Sequence, residues 1–311
     1  MFLTMVFCKR VSFCIKSNGT NSFLGGELEM AYPIMEHPAG ETFFYNGSIY
    51  SVNDDLAEEL SRPSDLRTYY ETLRVLDGVL LYAEDHMQRL TNSVAGLEDF
   101  PLDVKAILGN ANEYIKSEGI TSGNIRIVLT RSQLLIHKVD IKMPTEEMFS
   151  SGINTALLKW ERQTPNIKVF RDDYKNTVNG KFKEENDHGL PFELVLSDNE
   201  GRIYEGSMSN LFVIKGGKVY SAPDSKILIG ITRRRVIEAL RRAGTELTEG
   251  MFTLEELAGS DCAIFVSSTP FDILPVRYID GYEFESADNE LLQMIAHKYK
   301  EFTSEYIDAH K

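Results

Sequence analysis

The sequence predicts an α+β protein of two domains, and three observations predict it. The chain has 311 residues, enough for two domains at roughly 150 residues each. Its apolar residues follow both the alternating period of strands and the three-to-four period of helices, in an order that is not a strict strand–helix alternation. A polar stretch over 142–151, containing Pro144, follows neither period and separates the two regions.

The first regular element is a hairpin over 43–50, because Asn46-Gly47 tolerates the positive φ angles of a tight I′ turn. Asp77-Gly78 repeats the signal between strands at 69–76 and 79–82. Asp85 is expected to cap a helix whose Met87, Leu90, Val94 and Leu97 share one stripe. A second helix starts near Asp103, turns Val104, Ile107, Leu108, Ala111 and Ile115 inward, and stops at Gly119. Strands follow at 124–130 and 133–139. Past the polar stretch the reading places strands at 154–160, 193–197, 202–205, 210–214, 219–221 and 262–267. Helices are expected near 174–187, over 232–243 with Gly244 as its stop, and over 288–302, with a capping box at Thr253 and Glu256. The domains are therefore read as a small α+β domain over 30–145, a linker over 146–152, and a larger mixed-sheet domain over 153–311.

Residues 1–29 lack this periodicity and hold Cys8 and Cys14, two of the three cysteines. Their apolar start is too short for a secretory h-region, and Lys9-Arg10 lies on the wrong side of it. Cys8 as a lipid acceptor is the sharper alternative. The expectation is a disordered extension, with Met30 as the true start.

Composition excludes several functions. Thirty-three Lys and Arg against 47 Asp and Glu leave a formal charge of −14, which repels phosphate backbones and anionic lipid. No apolar run approaches the length of a membrane span. Three cysteines without paired spacing predict neither a disulfide framework nor a metal site, and a cytoplasmic protein is expected.

Three segments are candidates for chemistry. Gly230-Ile231-Thr232-Arg233 opens a helix, where free amides and a hydroxyl at the positive end form an anion cup. Ser267-Ser268-Thr269-Pro270 sets hydroxyls directly after a buried strand. Glu205-Gly206-Ser207-Met208-Ser209-Asn210 sets a carboxylate before a small-residue turn. Taken singly, these also read as an ordinary N-cap, a Ser/Thr turn and a hairpin with a solvated Glu.

In order, and with Tyr70-Glu71, His86-Met87-Gln88-Arg89-Leu90 and Leu274-Pro275-Val276, they resemble the fold-type IV pyridoxal-phosphate enzymes. That family holds the branched-chain and D-amino acid aminotransferases and the aminodeoxychorismate lyases. The resemblance covers about residues 43–281. It implies a two-domain fold-type IV architecture, pyridoxal 5′-phosphate as cofactor, amino acid and 2-oxo acid as substrates, and a homodimer. The strand around Tyr69, Tyr70, Leu73 and Leu76 is its expected contact surface.

The resemblance also implies roles. Arg89 pairs with the cofactor phosphate, as a guanidinium does bidentately. Ile231 and Thr232, with Ser268 and Thr269, complete the phosphate cup. Glu205 faces the pyridine nitrogen, and Tyr70 lies on the substrate side. His86 reads as a structural helix residue.

A lysine must form the Schiff base and move the Cα proton. Pro165-Asn166-Ile167-Lys168 matches the family's motif, but Val169 replaces its small hydroxyl residue and Arg171 its Asn. Lys168 also precedes Glu205 by a few residues more than is usual. Lys168 is the assignment; Lys175 and the absence of any such lysine are the alternatives. Three functions follow: an aminotransferase, a lyase releasing pyruvate, and a noncatalytic relative with a degraded lysine site.

Overall fold

A computed structural model describes residues 32–36, 38–98, 100–162 and 172–311. The expected extension over 1–29 and Lys168 both lie outside the described residues.

β1 (Tyr32–Pro33) precedes the hairpin of β2 (Pro38–Tyr45) and β3 (Ser48–Ser51). Asn46 and Gly47 take φ of 44° and 97° there, the left-handed pair that a tight turn between twisted strands requires. After α1 (Asp55–Leu60) and β4 (Pro63–Ser64), β5 (Tyr69–Leu76) turns through Asp77 and Gly78, again both at positive φ, into β6 (Val79–Leu80). Then come α2 (Ala83–Val94), α3 (Val104–Ser117), β7 (Ser122–Leu129) and β8 (Leu134–Val139). The six-stranded sheet runs β3-β2-β8-β7-β5-β6.

The stripes read from the sequence decide what covers this sheet. Met87, Leu90, Ile107 and Ala111 pack onto Tyr69, Leu73, Ile125 and Ile127. Tyr69 and Leu73 are thus interior, under the strand's own helices, while Tyr70 and Leu76 on its other side are only partly buried. Asp103 caps α3 by accepting the Ala106 amide at 2.9 Å, as expected. Asp85 does not cap α2. That helix begins at Ala83, behind a left-handed Tyr82, and Asp85 pairs instead with Arg235.

The connecting stretch holds a short helix, α4 (Glu146–Ser151), capped by the Thr145 hydroxyl. Beyond it lie β9 (Ile153–Lys159), α5 (Asp172–Lys181), β10 (Glu193–Ser197), β11 (Arg202–Gly206), β12 (Asn210–Lys215) and β13 (Lys218–Ser221). α6 (Ile231–Arg242), β14 (Leu247–Glu249), β15 (Phe252–Thr253) and α7 (Leu254–Leu257) follow, the last with the expected capping box between Thr253 and Glu256. β16 (Cys262–Ser268), β17 (Asp272–Ile279), β18 (Tyr282–Glu283) and α8 (Glu290–His310) end the chain. No described helix is long and apolar enough to cross a membrane.

Two further helices differ from their sequence reading at the C-terminal end. α5 ends at Lys181 rather than near 187, where Asn186 and Gly189 form an isolated bridge. α8 runs to His310 because its buried stripe of Leu292, Ile295, Tyr299 and Thr303 is extended by Tyr306, whose ring packs 4.8 Å from that of Tyr82. β17 carries no clean strand signal in the sequence because Pro275 interrupts it. Pairing with β9 begins only at Val276, so the missing N–H takes nothing from that ladder.

The ten-stranded sheet mixes parallel and antiparallel pairs. Its central strands run β12-β16-β17-β9-β10-β11, and β11 returns to β12 through the pair Glu205–Asn210. These six strands therefore close into a barrel, filled by Val195, Ile203, Leu211, Ile264, Val266 and Leu274. α6 and α8 cover its outer side over Phe212 and Phe265, whose rings stack at 4.7 Å. The barrel closes at the carboxylate that the sequence singled out.

Candidate active site

Four sequence segments meet at this closure. Glu205 is the next-to-last residue of β11, and Asn210, its partner across the seam, opens β12. Ser267 pairs with Asn210 from β16. The Asn210 side-chain amide donates to the Leu228 carbonyl at 2.8 Å, while the Leu228 amide donates to Glu205 Oε2 at 3.2 Å. This holds the loop that enters α6. A Cβ on Gly230 would collide with Asn210 Oδ1, so only glycine brings the start of α6 this close.

Gly230 caps α6 without a side-chain bond. The first-turn amides, Ile231 and Thr232 among them, lack intrahelical acceptors and sit at the positive helix end. Ser267 Oγ is buried with no hydrogen-bond partner. Ser268 Oγ donates to the Met208 carbonyl at 2.8 Å, tying β16 to the turn after Glu205.

Glu205 is almost fully buried, and its Oε1 accepts from Arg162 Nε. Burial pushes its carboxyl up to about 7, although Arg162 and the Leu228 amide pull it back. Arg162 stands over the Tyr174 ring at 5.2 Å, and the Tyr174 hydroxyl donates to the Ser207 carbonyl at 2.8 Å.

A second buried carboxylate, Glu193, shapes the turn. It accepts from the hydroxyls of Ser207 at 2.5 Å and Ser209 at 2.8 Å and from the Leu194 amide at 2.8 Å. Burial raises this carboxyl, and those donors act against the rise.

The expected residues of the first sheet meet elsewhere. Period-two alternation in β5 turns Tyr70, Thr72 and Arg74 to one side and Glu71 to the other, against α2. Glu71 accepts Arg89 Nε at 2.7 Å and Nη2 at 2.5 Å, and pairs with His86 Nδ1 at 2.7 Å. Burial alone would raise the Glu71 carboxyl, yet the charge and bonds of Arg89, with the His86 bond, hold it well below the usual range. His86 is thus a buried structural residue, in line with its sequence reading. Tyr70 lies between the groups: Arg126 stands over its ring at 5.3 Å, and Arg162 acts on it electrostatically.

Arg89→Met tests the Glu71 pair. It leaves a carboxylate buried without its guanidinium, which costs about 3–5 kcal/mol. Denaturant unfolding of the cofactor-free protein is expected to show that loss, and a change below about 1 kcal/mol would show that solvent reaches Glu71.

The start of α2 packs on the start of α6. Leu81 and Tyr82 share a buried cluster with Ile231, and Asp85 pairs with Arg235. Arg89 and Thr232 thus ride on two helices pinned together. Lys175, the alternative lysine, lies on α5 with its amine paired to Glu36 rather than to Glu205, and burial brings it down to about 8.

These groups fit a phosphate-bearing pyridine. The uncapped α6 amides, the Thr232 hydroxyl and the orphaned Ser267 Oγ are donors for a dianion, and Glu205 is a buried acceptor for a protonated ring nitrogen.

The family model of Amino-transferase class IV matches residues 68–279. The chain belongs to the class IV aminotransferases. It is 27% identical to the D-alanine aminotransferase of Listeria innocua over 284 residues, 83% of this chain and 96% of that protein. Identity is 26% to the aminodeoxychorismate lyase of Bacillus subtilis, over 74% of this chain and 84% of that protein. It is also 26% to the branched-chain-amino-acid aminotransferase of Escherichia coli, over 77% and 85%.

In fold, this class IV aminotransferase is similar to the solved E. coli branched-chain enzyme, with a TM-score of 0.71 at 22% identity, covering 85% of this chain and 95% of that one. The T.th. branched-chain enzyme with pyridoxamine 5′-phosphate also gives 0.71, at 20% identity, covering 87% and 96%. The α+β fold-type IV architecture is confirmed. Class IV aminotransferases depend on pyridoxal phosphate, and this chain is such an aminotransferase or a related lyase.

Sequence reasoning missed Arg162 and Glu193. Arg162 left no local signal, since it lies past a strand end and meets Glu205 only through barrel closure. Glu193 did leave one: a lone carboxylate heading the apolar run Leu194-Val195-Leu196. In a strand buried on both faces, such a carboxylate must find donors.

Proposed function

We propose that this class IV aminotransferase moves an amino group between an amino acid of branched-chain or D type and a 2-oxo acid. The observation that carries the reading is the barrel seam, where Glu205, the α6 amides and the Ser268–Thr269 turn converge.

In this reading the phosphate is held by the Ile231 and Thr232 amides, the Thr232 hydroxyl, Ser268 and Thr269. Arg89 contributes through the N–H groups that Glu71 does not take. When bound, pyridoxal phosphate supplies an aldehyde that links to amines and a ring that draws electrons from the substrate's Cα. Glu205 keeps the proton on the ring nitrogen, because an ionised carboxylate in a buried site favours the adjacent N–H cation. Lys168 carries the amine and moves the Cα proton. Tyr70 lines the substrate side, its hydroxyl kept protonated first by burial. The same reading takes the enzyme to be a homodimer with two domains over 30–145 and 153–311.

The lyase reading has one observation in its favour, since the Bacillus subtilis lyase is as similar as the E. coli aminotransferase. The test is one purified preparation assayed in parallel. Transamination of L-branched-chain and D-amino acids to 2-oxoglutarate is followed beside pyruvate release from aminodeoxychorismate. Amino transfer without pyruvate release supports the proposal. Pyruvate release alone assigns the lyase, and neither activity in a cofactor-loaded protein assigns a noncatalytic relative.

A further inference from the structure

Asp272 binds together three parts of the molecule distant in sequence. It stands directly across the β16–β17 hairpin from Ser268, at the end of the turn formed by Thr269, Pro270 and Phe271. Its φ is +61°, a left-handed conformation that L-residues other than Gly, Asn and Asp rarely hold. Its Oδ1 accepts the Tyr299 hydroxyl of α8 at 2.9 Å, and its Oδ2 accepts Arg74 Nη1 of β5. Tyr299 is buried, so its hydroxyl stays a donor. Arg74 shares its side of β5 with Tyr70, four residues away. One carboxylate therefore joins the hydroxyl turn of the barrel to the strand that carries the tyrosine facing the site.

We propose that Asp272 is a positioning residue for the phosphate turn, fixed by Arg74 and Tyr299, so that phosphate affinity depends on a contact that touches no ligand. The inference rests on reading Ser268 and Thr269 as phosphate ligands. The turn of the hairpin is only three residues, and its end is held from outside by this carboxylate. A charge-assisted bond to a half-buried Arg74 is directional, so loss of either partner frees the turn without removing any phosphate donor.

The test uses the full chain, freed of cofactor, titrated with pyridoxal 5′-phosphate and separately with pyridoxal, which lacks the phosphate. Arg74→Met and Asp272→Asn are expected to weaken pyridoxal phosphate binding roughly tenfold, while pyridoxal binding changes less than about twofold. Asn suits the left-handed backbone, so the second variant removes charge without forcing the turn. Arg74→Lys is expected to recover part of the loss. Tyr299→Phe keeps the buried ring and loses only the hydroxyl, and a smaller loss confined to pyridoxal phosphate is expected even if the charge variants fold poorly. Unchanged affinity in Arg74→Met and Tyr299→Phe overturns the inference and leaves the functional reading intact. Equal losses for both probes also overturn it, because they report general loosening. A wild-type chain that binds neither probe overturns the functional reading and this inference with it.

Discussion

Lys168→Ala is expected to lower turnover by about 10⁴-fold or more, the scale of removing a residue that both bonds to the reacting group and moves the proton. The variant is also expected to lose the borohydride-reducible cofactor linkage. It should still bind pyridoxal phosphate, because the α6 amides and the hydroxyls of Thr232 and Thr269 do not depend on the lysine. Lys175→Ala is the control. Its amine is engaged with Glu36, just before β2, and its removal is expected to leave the reducible linkage in place. Quantifying the reduced adduct by mass in both variants decides between the two lysines. A linkage lost in Lys175→Ala and kept in Lys168→Ala transfers the role to Lys175. If wild type and both variants alike form none, the chain is a noncatalytic relative.

Glu205→Gln is expected to reduce kcat by about 10²–10³-fold, the range for loss of one preorganised electrostatic group in a buried site. An amide does not hold the ring nitrogen protonated, yet it leaves the phosphate donors in place, so affinity should change far less than turnover. Wild-type-like kcat would remove Glu205 from the mechanism.

The same carboxyl predicts a pH dependence. Its ordinary value is 4.5, and burial raises it to about 7 in the folded, cofactor-free protein. Between those values the folded chain holds a proton that the unfolded chain has released. The contribution of Glu205 to stability is therefore present below pH 4.5 and falls as the pH rises toward 7. Cofactor affinity is expected to move the other way, improving as Glu205 ionises through pH 7. Both slopes should flatten in Glu205→Gln, and an unchanged affinity profile in that variant would place the titrating group elsewhere.

Much of the fold was legible because it is local. Asn46-Gly47 and Asp77-Gly78 announce their turns through backbone permissiveness, Asp103 and Thr253 announce helix starts through free amides, and the α3 and α6 stripes announce buried faces. The misreadings arose where a distant contact overrode a local preference. Asp85 resembles a cap, but Arg235, 150 residues away, takes it. Likewise, α8 continues past its expected end because Tyr82 meets Tyr306.

The candidate site divides in the same way. The sequence by itself determined which chemistry is present: an uncappable glycine before a helix, hydroxyls after a buried strand, a carboxylate before a tight turn, and their order along the chain. Each is set by a few neighbouring residues. Only the tertiary structure decided their environment, because partners and solvent exposure depend on chain segments far apart. Closure of the barrel at Glu205 and Asn210 buried the carboxylate and brought Arg162 to it. Packing of α2 under β5 committed Arg89 to Glu71. Asp272, which pairs with Ser268 across the end of the turn, met Arg74, contributed by a strand of the other sheet.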